Sequence, residues 1–272
     1  MNTKMQSDVH PMLREERPSI ITRPAVRMAV DVANALEMGD HALWVTGGAQ
    51  VGKTYGARLL MNTTKWRPFP LTMFETSYTK PKNPSELYFA NSFLLQHHQK
   101  LASRSVSIDS MMRSVFFMRE AAARDESRVV ALIINDANRF TLEDYEHLMS
   151  LDNLAENHVR LFFILINQSD ASGYGPRSKI EMRPPRHLFA RYFNNTHEYT
   201  GLLWDIPEAD VGMQNACDVA LAMDEYDNVL RWPQDSDMTY TRFFAQRAYD
   251  AGWRSASQRD MLRVQIEDLR AP

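Results

Sequence analysis

Eight consecutive residues near the start of the chain constrain its fold more than any other stretch. They match the phosphate-loop pattern G-x-x-x-x-G-K-[ST] at every fixed position, and they are Gly47, Gly48, Ala49, Gln50, Val51, Gly52, Lys53 and Thr54. An apolar run at 42–45 precedes them, and apolar residues at helical spacing follow over 54–61. A buried strand, a glycine-rich turn and a helix in this order form an anion site, so the sequence predicts nucleotide binding.

The pattern assigns chemistry to individual residues of this loop. Backbone N–H groups of the loop and the positive end of the helix dipole point at the phosphates, and Tyr55 is included because it lies in the first helical turn. Lys53 is expected to reach the β- and γ-phosphates, and the Thr54 hydroxyl is expected to hold Mg²⁺. The predicted cofactors are therefore ATP and Mg²⁺.

Composition restricts the remaining classes of protein. The 272 residues suffice for one large or two small domains, and a net charge of −3 means that any nucleic-acid contact must be local. The single cysteine, Cys217, excludes an internal disulfide framework and a cysteine-based zinc site. No stretch is apolar enough to span a bilayer, and the N-terminus lacks the apolar core of a signal peptide, so we expect a cytoplasmic protein without a membrane partner.

Strand and helix patterns alternate along most of the chain, which predicts the α/β class with a parallel sheet. Predicted strands lie at about 42–45, 71–75, 128–134, 161–166 and 197–202. Predicted helices lie at about 24–37, 54–61, 85–99, 109–124, 141–157, 184–193, 208–225, 239–251 and 257–269. We expect an N-terminal arm over 1–20, an α/β nucleotide-binding domain over 21–205 and a small helical lid over 206–272.

Polar residues follow two of the buried strands. Asn135 and Asp136 come directly after the clearest one, and a phosphate-loop enzyme needs an acid there to orient the Mg²⁺ shell. Asp136 is the candidate, for the metal and for catalysis, and the alternative is that it merely caps the following turn. Asn167 and Gln168 end the next strand, where they either hydrogen-bond the γ-phosphate or the attacking water or simply start a loop.

Taken together, these parts resemble an AAA+ ATPase, and more narrowly the TniB/TnsC family of transposition regulators, relatives of the IstB helper ATPases. The resemblance covers about residues 20–260 and rests on five segments, 47–54, 133–138, 166–168, 189–193 and 239–254. It implies a phosphate-loop domain with a helical lid that binds ATP and assembles as a homo-oligomer, a ring or a helical filament, on double-stranded DNA. It also implies that the protein links a TniQ- or TnsD-like target selector to a transposase.

AAA+ ATPases place a glutamate directly after the magnesium aspartate, which leaves two interpretations of this strand end. If strand length sets the register, Asp136 is the magnesium residue and Ala137 replaces the base. If the usual Asp-Glu-Ala triplet sets it, Asn135 replaces the magnesium aspartate and Asp136 takes the glutamate position. We favour the second, because Ala137 and Arg139 then fall where such triplets have them. Both predict slow hydrolysis, so enzymatic activity stays an open question.

The resemblance also suggests roles for polar and basic residues elsewhere. Asn167 and Gln168 match the sensor 1 position, and Arg191 or Arg186, with Arg191 favoured, matches the arginine that reaches a neighbouring subunit's site. The family's DNA-contacting segments are matched by four residues, Lys80, Lys82, Arg104 and Ser105. For all of these basic side chains the alternative is an ordinary solvated position.

Rival functions follow from the same residues. One is an active AAA+ motor such as a helicase loader, which would turn over ATP without forming filaments. Another is a nucleotide-gated protein scaffold that does not bind duplex DNA. A small-molecule kinase is disfavoured by the predicted helical lid and by the helix rich in proline and arginine before the last strand.

Overall fold

The computed structural model describes residues 20–79, 85–101, 106–168, 184–203, 218–219, 221–223, 225 and 255–256. These residues divide into two compact units. One contains 29–49 and the described residues of 63–199; the other contains 20–28, 50–62 and the described residues from 200 onward. Among the described residues, no helix has the length and apolar character needed to cross a membrane.

The first unit contains a five-stranded parallel sheet with the order β2-β3-β4-β1-β5. The strands are β1 (Ala42–Thr46), β2 (Thr72–Ser77), β3 (Val129–Asn135), β4 (Arg160–Ile166) and β5 (Thr196–Glu198). All seven residues of β3 are buried, as are the last six of β4. Such continuous apolar runs are typical of parallel strands covered on both faces, so the predicted parallel α/β sheet is confirmed.

The helices follow the strands in the expected alternation. They are α1 (Arg23–Met38), α2 (Lys53–Asn62), α3 (Glu86–Gln96), α4 (Ser107–Arg124), α5 (Leu142–Ala155) and α6 (Arg186–Tyr192). One face of the sheet packs against α3, α4, α5 and α6 through a single apolar cluster. Trp44 lies within that cluster, where its ring contacts Phe193 and Tyr145. This packing fixes β1, an interior strand between β4 and β5, from which the phosphate loop departs.

Local signals placed most helix ends correctly. A capping box begins α5, with the Thr141 side chain accepting from the Asp144 N–H and the Asp144 carboxylate accepting from the Thr141 N–H. Ser85 caps α3 by accepting from the Tyr88 N–H. The expectation that Asp109 begins α4 was wrong, because the helix starts at Ser107 and Asp109 lies in its first turn. An acid in that turn is still favoured by the helix dipole.

The predicted strand at 197–202 was wrong as a single element. In the sheet unit, β5 ends at Glu198. In the other unit, β6 (Leu202–Leu203) pairs antiparallel with β7 (Ser255–Ala256). Gly201 between them has a φ of +76°, a conformation that interrupts an extended strand and suits glycine.

The helical lid lies mostly outside the described residues. Residues 218–219, 221–223 and 225 are helical, in agreement with the predicted helix over 208–225. The predicted helices at 239–251 and 257–269 lie outside the described residues, as does the arm over 1–19. The domain boundaries after residues 20 and 205 therefore stay predictions.

Candidate functional site: the phosphate loop and the carboxyl edge of the sheet

The phosphate loop connects β1 to α2, as the strand–loop–helix pattern predicts. Gly52 has a φ of +100°, in the region that side chains disfavour, and its carbonyl accepts the first helical hydrogen bond from Gly56 at 2.9 Å. Lys53 and Thr54 therefore stand in the first turn of α2, and Lys53 is buried. At that end of a helix the backbone N–H groups and the dipole favour an anion.

The loop crosses the boundary between the two units, so its parts are described separately. Gly47, Gly48 and Ala49 belong to the sheet unit, directly after β1, whereas the residues from Gln50 to Asn62 belong to the other. In that second unit, the Tyr55 hydroxyl accepts from the Ile20 N–H at 2.5 Å. Burial raises the pKa of Tyr55, so this phenol stays protonated at neutral pH.

Asn135 and Asp136 occupy different surroundings at the carboxyl end of β3. Asn135 is the last residue of the strand and is buried. Asp136 is exposed, with φ 57° and ψ 32°, and precedes a 3₁₀ turn over Ala137–Arg139. Its side chain makes no capping hydrogen bond to that turn, which argues against a purely structural cap. The strand thus ends at Asn135, and the assignment of Asn135 and Asp136 to the two acidic positions stays a prediction.

A second carboxylate, which sequence reasoning missed, lies beside Asn135. The Asn135 side-chain amide, Nδ2, donates to Oε1 of Glu75 on β2 at 2.7 Å. The parallel register pairs Glu75 with Ile133 and Ser77 with Asn135, so both side chains lie on the same face of the sheet. The sequence did show an acid, Glu75, inside a predicted strand. It could not show that Asn135 lies next to Glu75, because that depends on the order of the strands in the sheet.

Asn167, the residue directly after β4, adds a third polar side chain at the carboxyl end of the sheet. Its backbone N–H donates to the Val45 carbonyl at 2.8 Å, and its side-chain Nδ2 donates to the Leu165 carbonyl at 2.8 Å. Its amide oxygen, Oδ1, is buried and has no hydrogen-bond partner among the described residues. A buried acceptor of this kind is costly unless water or a ligand satisfies it. Gln168, the next residue, is exposed.

These groups fit a nucleotide with Mg²⁺. Mg²⁺ binds oxygen ligands, usually one or two protein groups together with waters and substrate phosphates. At the carboxyl edge of the sheet, Asp136 and Glu75 offer carboxylates, and the unsatisfied Asn167 oxygen can accept from a bound water. No group of three or more histidine, cysteine or acidic side chains forms a metal cage within the described residues.

The two candidate arginines on α6 differ in their contacts. The Nη1 atom of Arg191 donates to Asp152 Oδ2 at 3.3 Å and to Asn153 Oδ1 at 2.9 Å, and both acceptors are on α5. Asp152 Oδ2 also lies 2.9 Å from Nδ1 of His41. His41 directly precedes β1, so this contact is at the amino edge of the sheet. Arg186, in the first turn of α6, is exposed. Arg191 is thus paired with residues of α5, whereas Arg186 is accessible.

The four predicted DNA-contacting residues, Lys80, Lys82, Arg104 and Ser105, lie outside the described residues. The described chain flanks both segments, because α3 follows the first and precedes the second. Before the segment that contains Lys80 and Lys82, the end of β2 is bound by Gln96 of α3. The Gln96 Oε1 accepts from the Ser77 N–H at 2.8 Å, and its Nε2 donates to the Ser77 carbonyl at 3.1 Å.

No family model and no curated protein matches the sequence. Solved structures do match. The Aeropyrum pernix ORC1 protein in complex with DNA has a TM-score of 0.55 and 14% sequence identity, over 96% of this chain and 64% of that one. Drosophila ORC bound to DNA has a TM-score of 0.38 and 11% identity, over 76% of this chain and 32% of that one.

The present chain thus spans somewhat less than two thirds of the Aeropyrum protein, and identity this low carries the fold alone. These two structures do not test the narrower resemblance to the TniB/TnsC regulators. The comparison establishes a parallel five-stranded sheet flanked by helices, an α/β fold similar to that of the Aeropyrum pernix ORC1 protein.

Proposed function

We propose that this chain is an ATP-dependent AAA+ regulator of DNA transposition. It oligomerises on double-stranded DNA, as a ring or a helical filament, and links a TniQ- or TnsD-like target selector to a transposase. The observation that carries the proposal is a complete phosphate-loop sequence between β1 and α2 of an AAA+ fold. The resemblance of the motif segments to TniB/TnsC regulators supplies the narrower assignment.

ATP binding depends on the phosphate loop. Lys53 neutralises charge on the β- and γ-phosphates, and the backbone N–H groups from Gly47 to Tyr55 cradle the phosphate oxygens. The Thr54 hydroxyl would hold the metal, which would offset the negative charge of the phosphates. Asn167 accepts a hydrogen bond from water at the neighbouring strand end, which is the role of sensor 1.

Hydrolysis in this proposal is slow. Efficient AAA+ ATPases use two adjacent acids at the end of the third strand, and here Asn135 and Asp136 provide an amide and one carboxylate. The exposed Asp136 can accept a proton from water, but the magnesium position before it is neutral. ATP therefore acts mainly as an assembly ligand. Arg186, accessible at the start of α6, is the better candidate to reach a neighbouring subunit, because Arg191 is paired with Asp152.

DNA contact in this proposal is electrostatic and indifferent to sequence. Lys80 and Lys82 contact backbone phosphates, and Arg104 and Ser105 form a second contact. Because the net charge of a subunit is −3, affinity has to come from repeating a local contact in each subunit of the assembly. The ORC1 protein of similar fold was solved in complex with DNA, which supports a DNA ligand by analogy.

Electron microscopy of the full chain with duplex DNA tests the proposal directly. Rings or filaments are expected with a non-hydrolysable ATP analogue and duplex, and not without nucleotide. Lys53→Ala is the matched control, and it should lose nucleotide binding by calorimetry together with assembly. Unchanged nucleotide affinity in that variant would refute the phosphate-loop assignment. Rapid turnover without filaments would instead favour a motor, and nucleotide binding without duplex binding a protein scaffold.

A further inference from the structure

The hydrogen bond between Glu75 and Asn135 places a negative charge where β3 lacks one. An aspartate at the end of this strand would carry that charge itself, but Asn135 is neutral. Its amide instead donates to Glu75 Oε1 at 2.7 Å. The pair therefore presents the same two groups as an aspartate–amide pair, with the carboxylate on β2 rather than on β3.

The bond also sets the orientation of the Asn135 amide. Because the nitrogen is directed at Glu75, the oxygen occupies the opposite branch of the amide group. Asn135 is 6% exposed, and charge interactions in such a partly dry environment are stronger than in bulk water. Glu75 thus determines both the local charge and which atom of Asn135 serves as an acceptor.

A structural role alone does not account for this contact. The ends of β2 and β3 are already joined by their parallel pairing from Thr72 to Ser77 and by a backbone bond from Tyr78 to the Asn135 carbonyl at 3.1 Å. Asn167, on the adjacent strand β4, independently indicates a ligand at this edge, because its buried Oδ1 has no partner among the described residues.

We propose that Glu75 is a positioning residue of the magnesium–nucleotide site, which supplies from β2 the carboxylate charge missing at Asn135 and orients the Asn135 amide oxygen as an acceptor. The inference rests on the proposed ATP binding. It predicts that Mg²⁺ dependence, rather than nucleotide affinity as such, is the property that Glu75 controls.

The first test is Glu75→Gln, which removes the charge but keeps an oxygen that can accept from Asn135. Binding of a fluorescent ATP analogue is measured against Mg²⁺ concentration, with thermal unfolding as the control for folding. The Mg²⁺ concentration at half-saturation should rise roughly 10- to 100-fold, the usual effect of losing a group that orients a metal ligand. Nucleotide affinity without Mg²⁺ should not fall. Asp125→Asn is the matched control, because Asp125 accepts from Thr72 Oγ1 at the opposite end of β2.

The second test exchanges the two groups. The double variant Glu75→Gln/Asn135→Asp returns the carboxylate to β3 and keeps a hydrogen bond in the reverse direction, so its Mg²⁺ dependence should return to the wild-type value. Wild-type Mg²⁺ dependence in Glu75→Gln would overturn the inference. If Glu75→Gln does not fold, the double variant decides, and a raised Mg²⁺ requirement there overturns it. A wild type that binds no nucleotide at any Mg²⁺ concentration would instead refute the proposed function, and the inference with it.

Discussion

Asp136 has a backbone conformation that makes one substitution especially informative. Its φ of 57° lies in the left-handed region, which asparagine also adopts readily and alanine does not. Asp136→Asn therefore removes the charge with little backbone strain. We expect ATP-dependent assembly to persist while the slow hydrolysis falls by about 100-fold or more, since a positioned acid–base group contributes at least that much. Phosphate release and electron microscopy of the same preparation measure the two properties.

The prediction also requires that the wild type itself hydrolyses ATP slowly. Turnover near the ordinary enzyme value of about 10 s⁻¹ would contradict the claim of a weakened site. Retained hydrolysis in Asp136→Asn would show that the base lies elsewhere.

Asp152 gives the molecule a pH-dependent stability. Burial raises the pKa of this carboxyl above its ordinary value, against the opposing attraction of His41 and Arg191. The folded state therefore holds the proton more tightly than the unfolded state. Its contribution to stability is complete below the unfolded pKa of about 3.9 and is lost as pH rises through the folded pKa.

Comparison with Asp152→Asn isolates this effect, because asparagine does not titrate. The free energy of unfolding of the wild type minus that of the variant should increase as pH falls from 7 to 4. The increase is about 1.4 kcal/mol for each unit by which the folded pKa exceeds the unfolded one. Urea titrations at four pH values measure it, and a constant or decreasing difference would contradict the prediction.

Residues with a local pattern could be predicted from the sequence, and residues defined by a neighbour could not. The phosphate loop is contiguous, so its strand–loop–helix context was visible without a structure. Glu75 meets Asn135 across 60 positions of sequence, and that contact exists because β2 and β3 are adjacent. The pairing of Arg191 with Asp152 likewise depends on how α6 packs against α5.

At the scale of elements, Gln96 protects an open sheet edge. β2 is an edge strand, and the outward backbone groups of Ser77 bond to the Gln96 side chain, which also accepts from Thr76 Oγ1 at 2.8 Å. Exposed edge groups otherwise invite pairing with another chain. The amide of Gln96 thus replaces a neighbouring strand at the point where the chain leaves the sheet toward residues 80–84.

Gln96→Met keeps the length of the side chain and removes these bonds. We expect a loss of about 1 kcal/mol in unfolding free energy, small because water can satisfy part of this exposed site, together with faster hydrogen exchange at the Ser77 amide. Gln99→Met is the control, because the Gln99 side chain donates to the nearby His97 carbonyl and not to β2. Equal exchange rates of the Ser77 amide in both variants and the wild type would show that the Gln96 side chain does not protect the end of β2.

Element ends followed local chemistry where such chemistry existed. The Thr141–Asp144 box fixed the start of α5, because both partners lie within one turn. The segment at 197–202 had no comparable local signal. Its last residue, Leu202, pairs with Ala256, which is more than fifty positions away. The local sequence alone therefore could not show that β5 and β6 are separate strands.

For the whole molecule, duplex binding should depend on two lysines next to Pro81. Replacing Lys80 and Lys82 by alanine should weaken binding to all sequences equally and flatten its salt dependence, by about 0.9 in the log–log slope for each lost phosphate contact. Nucleotide affinity should not change. A salt titration of duplex binding with an ATP analogue measures the slopes.

The control removes the same charge from the opposite edge of the sheet. Lys65 and Arg128 are exposed and precede β2 and β3, so Lys65→Ala/Arg128→Ala should retain the wild-type slope. Identical slopes for all three proteins would exclude the two lysines as phosphate contacts, and a wild type that never binds duplex would remove the DNA hypothesis.

The position of β1 between β4 and β5 affects how the chain is made. Ala42 pairs with Phe163, which is 121 positions later, and Trp44 pairs with Thr196, which is 152 positions later. At the usual 5–20 residues per second, a ribosome needs roughly 6–24 s after completing β1 to produce its first sheet neighbour. During that interval an apolar strand has no partner. The strand that leads into the phosphate loop is synthesised first and is paired only when most of the sheet has left the ribosome.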